Sequence, residues 1–163
     1  MKLFCCASKN EDSIWRGVKA NKWAVATFSD SAMRGRITKA KHYFVPGVCG
    51  LLYCNPTHFF TAPFTATSEA DPTRVVTDIW PEARVLPFSM RPLGDPRRQV
   101  HKDRATARWS ILIERMRYYE SVSAALNITG TTVFVPTDIP EEAWQMILDD
   151  LAIKHEYELP SRP

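Results

Sequence analysis

Apolar residues in this chain fall into short runs divided by polar turns, and prolines mark many of the divisions. Leu3-Phe4-Cys5-Cys6-Ala7 is unbroken and apolar and ends at Ser8-Lys9-Asn10, the pattern of a buried strand and its turn. Asp12 or Ser13 is placed to cap a short helix carrying Ile14, Trp15 and Val18. Lys22-Trp23-Ala24-Val25-Ala26 reads as a short extended segment, and the polar stretch from Thr27 to Lys41 as a turn or short helix. Gly50 to Cys54, Phe59 to Thr67 and Val85 to Met90 are strand-like, rich in aromatic or β-branched residues. Pro63 puts its strand at a sheet edge or a bulge. Ser68 to Asp78 reads as loop, and Trp109 to Met116 as helix or the end of a loop. From Ile139 to Leu148 the pattern is helical: Asp138 or a neighbour caps it, Pro140 suits the first turn, and Trp144, Ile147, Leu148 and Leu151 share one face. The order predicts an α+β domain around a twisted, barrel-like sheet of five or six strands, flanked by a helix after Ser13 and one after Pro140. It spans residues 1–157, with 158–163 a loose tail.

Composition narrows the class. Hydrophobic residues are 45% of 163, enough for one proper core. No run approaches the ~20 apolar residues of a membrane span, and the apolar N-terminal stretch is too short for a signal peptide. A cytoplasmic protein, or a nuclear one, is expected. The net charge of +3 conceals an uneven distribution. Residues 1–48 hold nine Lys and Arg against three acids, residues 91–117 eight against three, and residues 136–159 one against seven. A basic portion beside an acidic terminal helix suits a phosphate-bearing partner, or a solvated surface of mixed charge. Cys5, Cys6, Cys49 and Cys54 lie in apolar settings without the Cys-x-x-Cys spacing of a zinc site. Buried free thiols are therefore expected, with no metal and no cofactor.

Several segments in order resemble the EVE domain of the PUA-like superfamily and, through it, the YTH domain. They are Leu3–Ala7 with Ser8-Lys9-Asn10, then Lys22-Trp23-Ala24-Val25, then Pro46-Gly47-Val48 leading into Cys49–Tyr53. Phe64–Glu69, Trp80-Pro81 with Leu86–Leu93, and Thr137–Glu142 follow. The resemblance covers about Leu3 to Leu151 and rests on order and spacing, no single element being specific. Val48 stands where the family usually has an acid, and Thr106–Phe134 matches poorly.

The resemblance implies a non-catalytic nucleic-acid-binding domain that holds a flipped, methylated base in an aromatic pocket. Enclosing such a base needs aromatic walls, and stacking is worth ~1–3 kcal/mol per base. Trp23 and Trp80 are nominated as walls, facing one another across a solvent-open pocket; the alternative for each is an ordinary core tryptophan. Ser8 and Asn10 are nominated for the polar floor, against simple turn chemistry. Ser68, with Glu69, either touches the base or braces a loop. Lys22, Arg34, Arg36, Arg97 and Arg98 are candidates for phosphate contacts. Trp15 and Trp144 read as helix-face core, and Trp109 stays open. The expected partner is DNA or RNA carrying a modified base, with a nuclease or helicase on a separate chain. Two other readings stand beside this one. The first is an ASCH-like hydrolase using Cys49 or Cys54 with His42 or His58; the second is a protein-interaction module with a basic face.

Overall fold

The structure, a computed structural model, describes residues 1–27, 29–115, 119–126, 128 and 134–153, with backbone alone for 113–115. The proposed tail at 158–163 and the domain limit at 157 lie outside them. The first strand β1 (Lys2–Ser8) is followed by α1 (Glu11–Ala20), β2 (Lys22–Ala26) and α2 (Asp30–Tyr43). β3 (Cys49–Cys54), β4 (Phe59–Ala66), β5 (Val75–Val76), β6 (Arg84–Pro92) and β7 (Gln99–His101) form the middle of the chain. Three short helices, α3 (Lys102–Arg108), α4 (Ser110–Arg115) and α5 (Val122–Ala125), precede β8 (Thr137–Asp138) and α6 (Glu141–Leu151).

β1 and β3 pair in parallel, Leu3 opposite Cys49 through to Ser8 opposite Cys54. Their nearly continuous apolar runs follow from burial on both faces. On one face Phe4, Cys6, Leu52 and Cys54 join Ile14 of α1, Trp23 of β2 and Phe88 of β6 in a single core. On the other, Leu3, Leu51, Tyr53 and Phe60 join Trp109, Trp144, Ile147 and Leu151 in a second. Among the described residues the sheet is open and mixed, in the order β2-β6-β4-β3-β1-β8, with β5 added to β6 and β7 to β4. Five or six strands were expected; the excess comes from β5, β7 and β8, which are two or three residues long. No helix among the described residues is long and apolar enough to cross a membrane.

Two bulges bend this sheet, and both are built on a residue before proline. Opposite Gly50 to Leu52, β4 carries one extra residue at Ala62-Pro63; opposite Trp23 to Val25, β6 carries one at Leu86-Pro87. Ala62 and Leu86 adopt left-handed φ of 50° and 52°. A bulge is where a strand proline, lacking an N–H, does least damage to the ladder. Ala62-Pro63 is also where β4 changes partner: residues 59–61 pair with β7 and residues 64–66 with β6. β6 changes partner too, from β2 and β5 in its first half to β4 in its second.

The helices differ from expectation in their starts. α1 begins earlier than a cap at Asp12 or Ser13 would allow, because Asn10 is the cap: its side chain accepts a 2.8 Å hydrogen bond from the Ser13 N–H. The polar stretch after Thr27 is a 14-residue helix that buries only Ala40 fully, which leaves little periodicity to read. Trp109 lies between α3 and α4, wholly buried, with its indole N–H donating to Asp150 of α6 at 2.8 Å. Trp15 is half-buried rather than core.

Gly50 shows how tightly β3 and β4 meet. A Cβ there would lie 2.0–2.5 Å from ring atoms of the fully buried Phe64, whereas one on Gly35 in α2 would touch nothing. Gly50→Ala should therefore cost about 1–3 kcal/mol in urea unfolding through overpacking. Gly35→Ala should be neutral or stabilising by up to about 1 kcal/mol, since alanine is the better helix former. Equal effects at the two sites would contradict this packing.

Candidate functional site

A cavity of about 320 Å³ opens where the ends of β1, β2 and β3 meet the start of β6. Cys6, Ala7, Ser8, Trp23, Ala24, Val25, Ala26 and Asn55 line it, and Lys9, Glu82 and Arg84 bring charge. The strand pairing sets this composition. Parallel register brings Ser8 beside Cys54 and hence near Asn55, while antiparallel register sets Trp23 against Phe88 and Ala26 against Arg84.

Trp23 and Trp80 do come together, but not as two walls with a gap. Their ring centroids are 5.7 Å apart and their planes meet at 80°, an edge-to-face contact that leaves no room for a base between them. They are 2% and 3% exposed. The Trp80 indole N–H donates to the Ser13 carbonyl at 2.9 Å, fixing the ring from behind. Gly17 of α1 lets Trp23 pack this closely, since a Cβ there would sit 2.7 Å from the indole. Only Trp23 lines the cavity; the expected pocket open between both rings is replaced by one beside Trp23.

Arg84 lies over both rings. Its guanidinium carbon lies 4.3 Å from the Trp80 centroid and 5.1 Å from that of Trp23, so one cation covers both rings. Nε and Nη2 donate to Glu82 Oε1 at 3.1 and 2.9 Å, and Nη1 reaches the Ala24 carbonyl at 3.4 Å. Lys9 Nζ holds the other Glu82 oxygen at 3.1 Å. Burial alone would raise the Glu82 pKa, but hydrogen bonds from Arg84 and Lys9 overcome it and hold the carboxyl at about 2. Burial pulls Arg84 down against the opposing Glu82, yet arginine starts so high that it stays charged at neutral pH.

The other nominated residues are dispersed. Ser8 lines the cavity, and its hydroxyl donates to the Asn10 carbonyl at 2.7 Å. Asn10 is committed to capping α1 and is not a lining residue. Ser68 accepts from the Ser89 N–H and donates to the Glu69 carbonyl; it lines a separate hollow of about 210 Å³ with Lys22, Asp71 and Arg74. Arg98 is exposed and donates to the Asp149 and Ala152 carbonyls, closing the C-terminal end of α6. Arg97 pairs with Asp95 at 2.8 Å. Arg34 is exposed on α2, and Arg36 beside it is half-buried.

Cys5, Cys6 and Cys49 lack the character of a nucleophilic thiol. Burial pushes Cys6 up to about 12 and raises Cys5 and Cys49, the opposite of an activated thiolate. His58 hydrogen-bonds the Tyr53 hydroxyl at 3.0 Å, and His42 packs on Tyr43. Among the described residues no three His, Cys, Asp or Glu side chains are grouped to hold a metal ion.

No family model matches the sequence, and no curated protein does. Solved structures do match. The Pho92 YTH domain in complex with m6A aligns at a TM-score of 0.58 and 14% identity, over 95% of this chain and 85% of that one. The fold is similar to that of YTH domains. The YTH domain of Zygosaccharomyces rouxii MRB1, in complex with N6-methyladenosine RNA, gives 0.57 and 19% over 91% and 84%. The Toxoplasma CPSF4 YTH domain in apo form gives 0.52 and 13% over 96% and 90%. At these identities the YTH likeness is one of fold.

The Glu82 contact has a pH signature. A carboxyl held low in the folded state adds stability above its unfolded pKa of ~4.3, and that stability is lost as pH falls toward about 2. The stability gap between the native protein and Glu82→Gln should be widest above pH 5 and close through that window in urea titrations. A gap independent of pH would show that the Arg84 and Lys9 contacts are not made.

Proposed function

We propose that this chain is a non-catalytic reader of a methylated base in RNA, a single domain of EVE or PUA-like type. The observation that carries it is the cavity beside Trp23, set within a YTH-like fold whose solved examples include complexes with N6-methyladenosine RNA. At about 320 Å³ it lies at the small end of the ~300–1,000 Å³ usual for small-molecule sites, a size for one base and not for a larger ligand. Apolar Cys6, Ala7, Val25 and Ala26 give a methyl group somewhere to be buried, worth ~0.8 kcal/mol per carbon. Ser8 and Asn55 supply polar atoms for a base edge. Trp23 forms the aromatic side of the cavity beneath Arg84, and Trp80 backs it edge-to-face.

Phosphates would be met by Lys9 at the cavity and by Lys22 and Arg74 at the smaller hollow, positioning the strand without reading it. A reader without chemistry of its own acts through other proteins, and a nuclease or helicase on a separate chain is the expected class.

Because Trp23 is buried, truncating it would confuse stability with binding. Ala26 is exposed and lines the cavity, so Ala26→Phe fills the site from its solvent side. Short single-stranded RNAs with one adenosine or one N6-methyladenosine would be titrated by fluorescence anisotropy. The native protein should prefer the methylated strand by roughly fivefold or more, about 1 kcal/mol or above. Ala26→Phe should remove that preference while the urea midpoint stays within ~0.5 kcal/mol of native. No preference in the native protein, or one untouched by Ala26→Phe, would defeat the proposal.

A further inference from the structure

Aromatic boxes attract cations because the ring faces are electron-rich. In this protein that attraction is already used by the chain's own guanidinium. Arg84 covers both Trp23 and Trp80, is buried, and is itself a wall of the cavity, whereas Trp80 is not. It is held in place from three directions: by the two indoles, by Glu82, and by the Ala24 carbonyl. The remaining charges on the cavity wall are Glu82 and Lys9. Both Glu82 oxygens are engaged, Oε1 by Arg84 and Oε2 by Lys9, so the carboxylate is already shared between two cations. Two positive groups and one negative leave the wall with a net charge of +1.

We propose that Arg84 is a fixed cationic wall that makes the site selective for neutral methylated bases and against those whose methylation creates a positive charge. The proposal rests on the reader function argued above and names the substrate class of that same site. A neutral base lies against the guanidinium plane as readily as against an aromatic ring. A cationic base brings a second positive charge to within a few ångströms, in surroundings where water screens poorly. It also finds the π-faces that would reward it already covered.

N6-methyladenosine and N1-methyladenosine make the test direct, because they are isomers of which only the second is positively charged at neutral pH. Each is placed in the same short single-stranded RNA and titrated against native protein, Arg84→Met, Arg84→Lys and Glu82→Gln at one fixed salt concentration. The native protein should favour the N6-methyl over the N1-methyl strand by about ten- to a hundredfold. Arg84→Met should shrink that ratio at least about tenfold and weaken N6-methyl binding, since a wall has been lost. Arg84→Lys should keep the discrimination. Glu82→Gln, which removes the counter-charge, should widen it. Should Arg84→Met fail to fold by circular dichroism, the other two variants still decide the matter: a ratio that disappears in Arg84→Lys, or narrows in Glu82→Gln, overturns the proposal. Tighter N6-methyl binding by Arg84→Met also overturns it, because Arg84 would then be a plug that the base displaces. Either result leaves the reader function standing. Failure of the native protein to prefer any methylated strand over its unmodified counterpart removes the reader function, and this inference with it.

Discussion

β1 and β3 are the one parallel pair among the described residues, and parallel strands are stable only when both faces are covered. That requirement organises the molecule. One face takes α1, β2 and β6, and the other takes α3 to α6, so two apolar cores share a single thin layer of backbone. The same pairing brings the ends of β1 and β3 out side by side, which is why Ser8, Lys9 and Asn55 meet at one opening. The cavity is a consequence of where the spine of the sheet ends.

Arg84 introduces the one buried cation of that first core among the described residues. An isolated charge in such a place costs several kcal/mol, and it persists only if its surroundings compensate. Here compensation is distributed: two indole faces, one carboxylate shared with Lys9, and one backbone carbonyl. A group held by so many contacts has little freedom to turn. This rigidity separates a wall from a gate, and it explains why the edge-to-face Trp23–Trp80 pair can stay closed without leaving the cavity shapeless.

Much of the strand framework was legible because doubly buried strands write themselves as apolar runs, and the proline bulge at Pro63 followed from a missing N–H. Helix α6 was legible from its apolar face. The meeting of Trp23 with Trp80 was implied only by the motif order, since nothing in local pattern links residues so far apart. Their closed arrangement was not legible, and neither was the cation over both rings, since Arg84 is a single basic residue outside both basic stretches. A signal did exist: Glu82 and Arg84 are two apart at the entrance to a strand, a spacing that puts opposite charges on one face just after Trp80-Pro81. Asn10 was nominated with turn chemistry as its alternative, and its side chain caps α1 by accepting from the Ser13 N–H. Arg98 gave no warning. Its role as a cap for α6 is a long-range fact, and charge alone suggested phosphate.

The edge strand β8 bears on how the chain is made. Lys2 sits opposite Asp138 and Leu3 opposite Thr137, so β1 gains its second neighbour only from residues nearly the whole length away. At ~5–20 residues per second, a ribosome needs roughly 7–28 seconds to add that stretch. Once Cys49–Cys54 has been made, β1 can pair with β3 but keeps one unpaired edge until β8 follows. An N-terminal strand that must wait for its last partner is exposed to the wrong strand in the meantime, including a copy of itself on a neighbouring nascent chain. Lys2, charged and at the start of that edge, is well placed to discourage such pairing until Asp138 arrives to neutralise it.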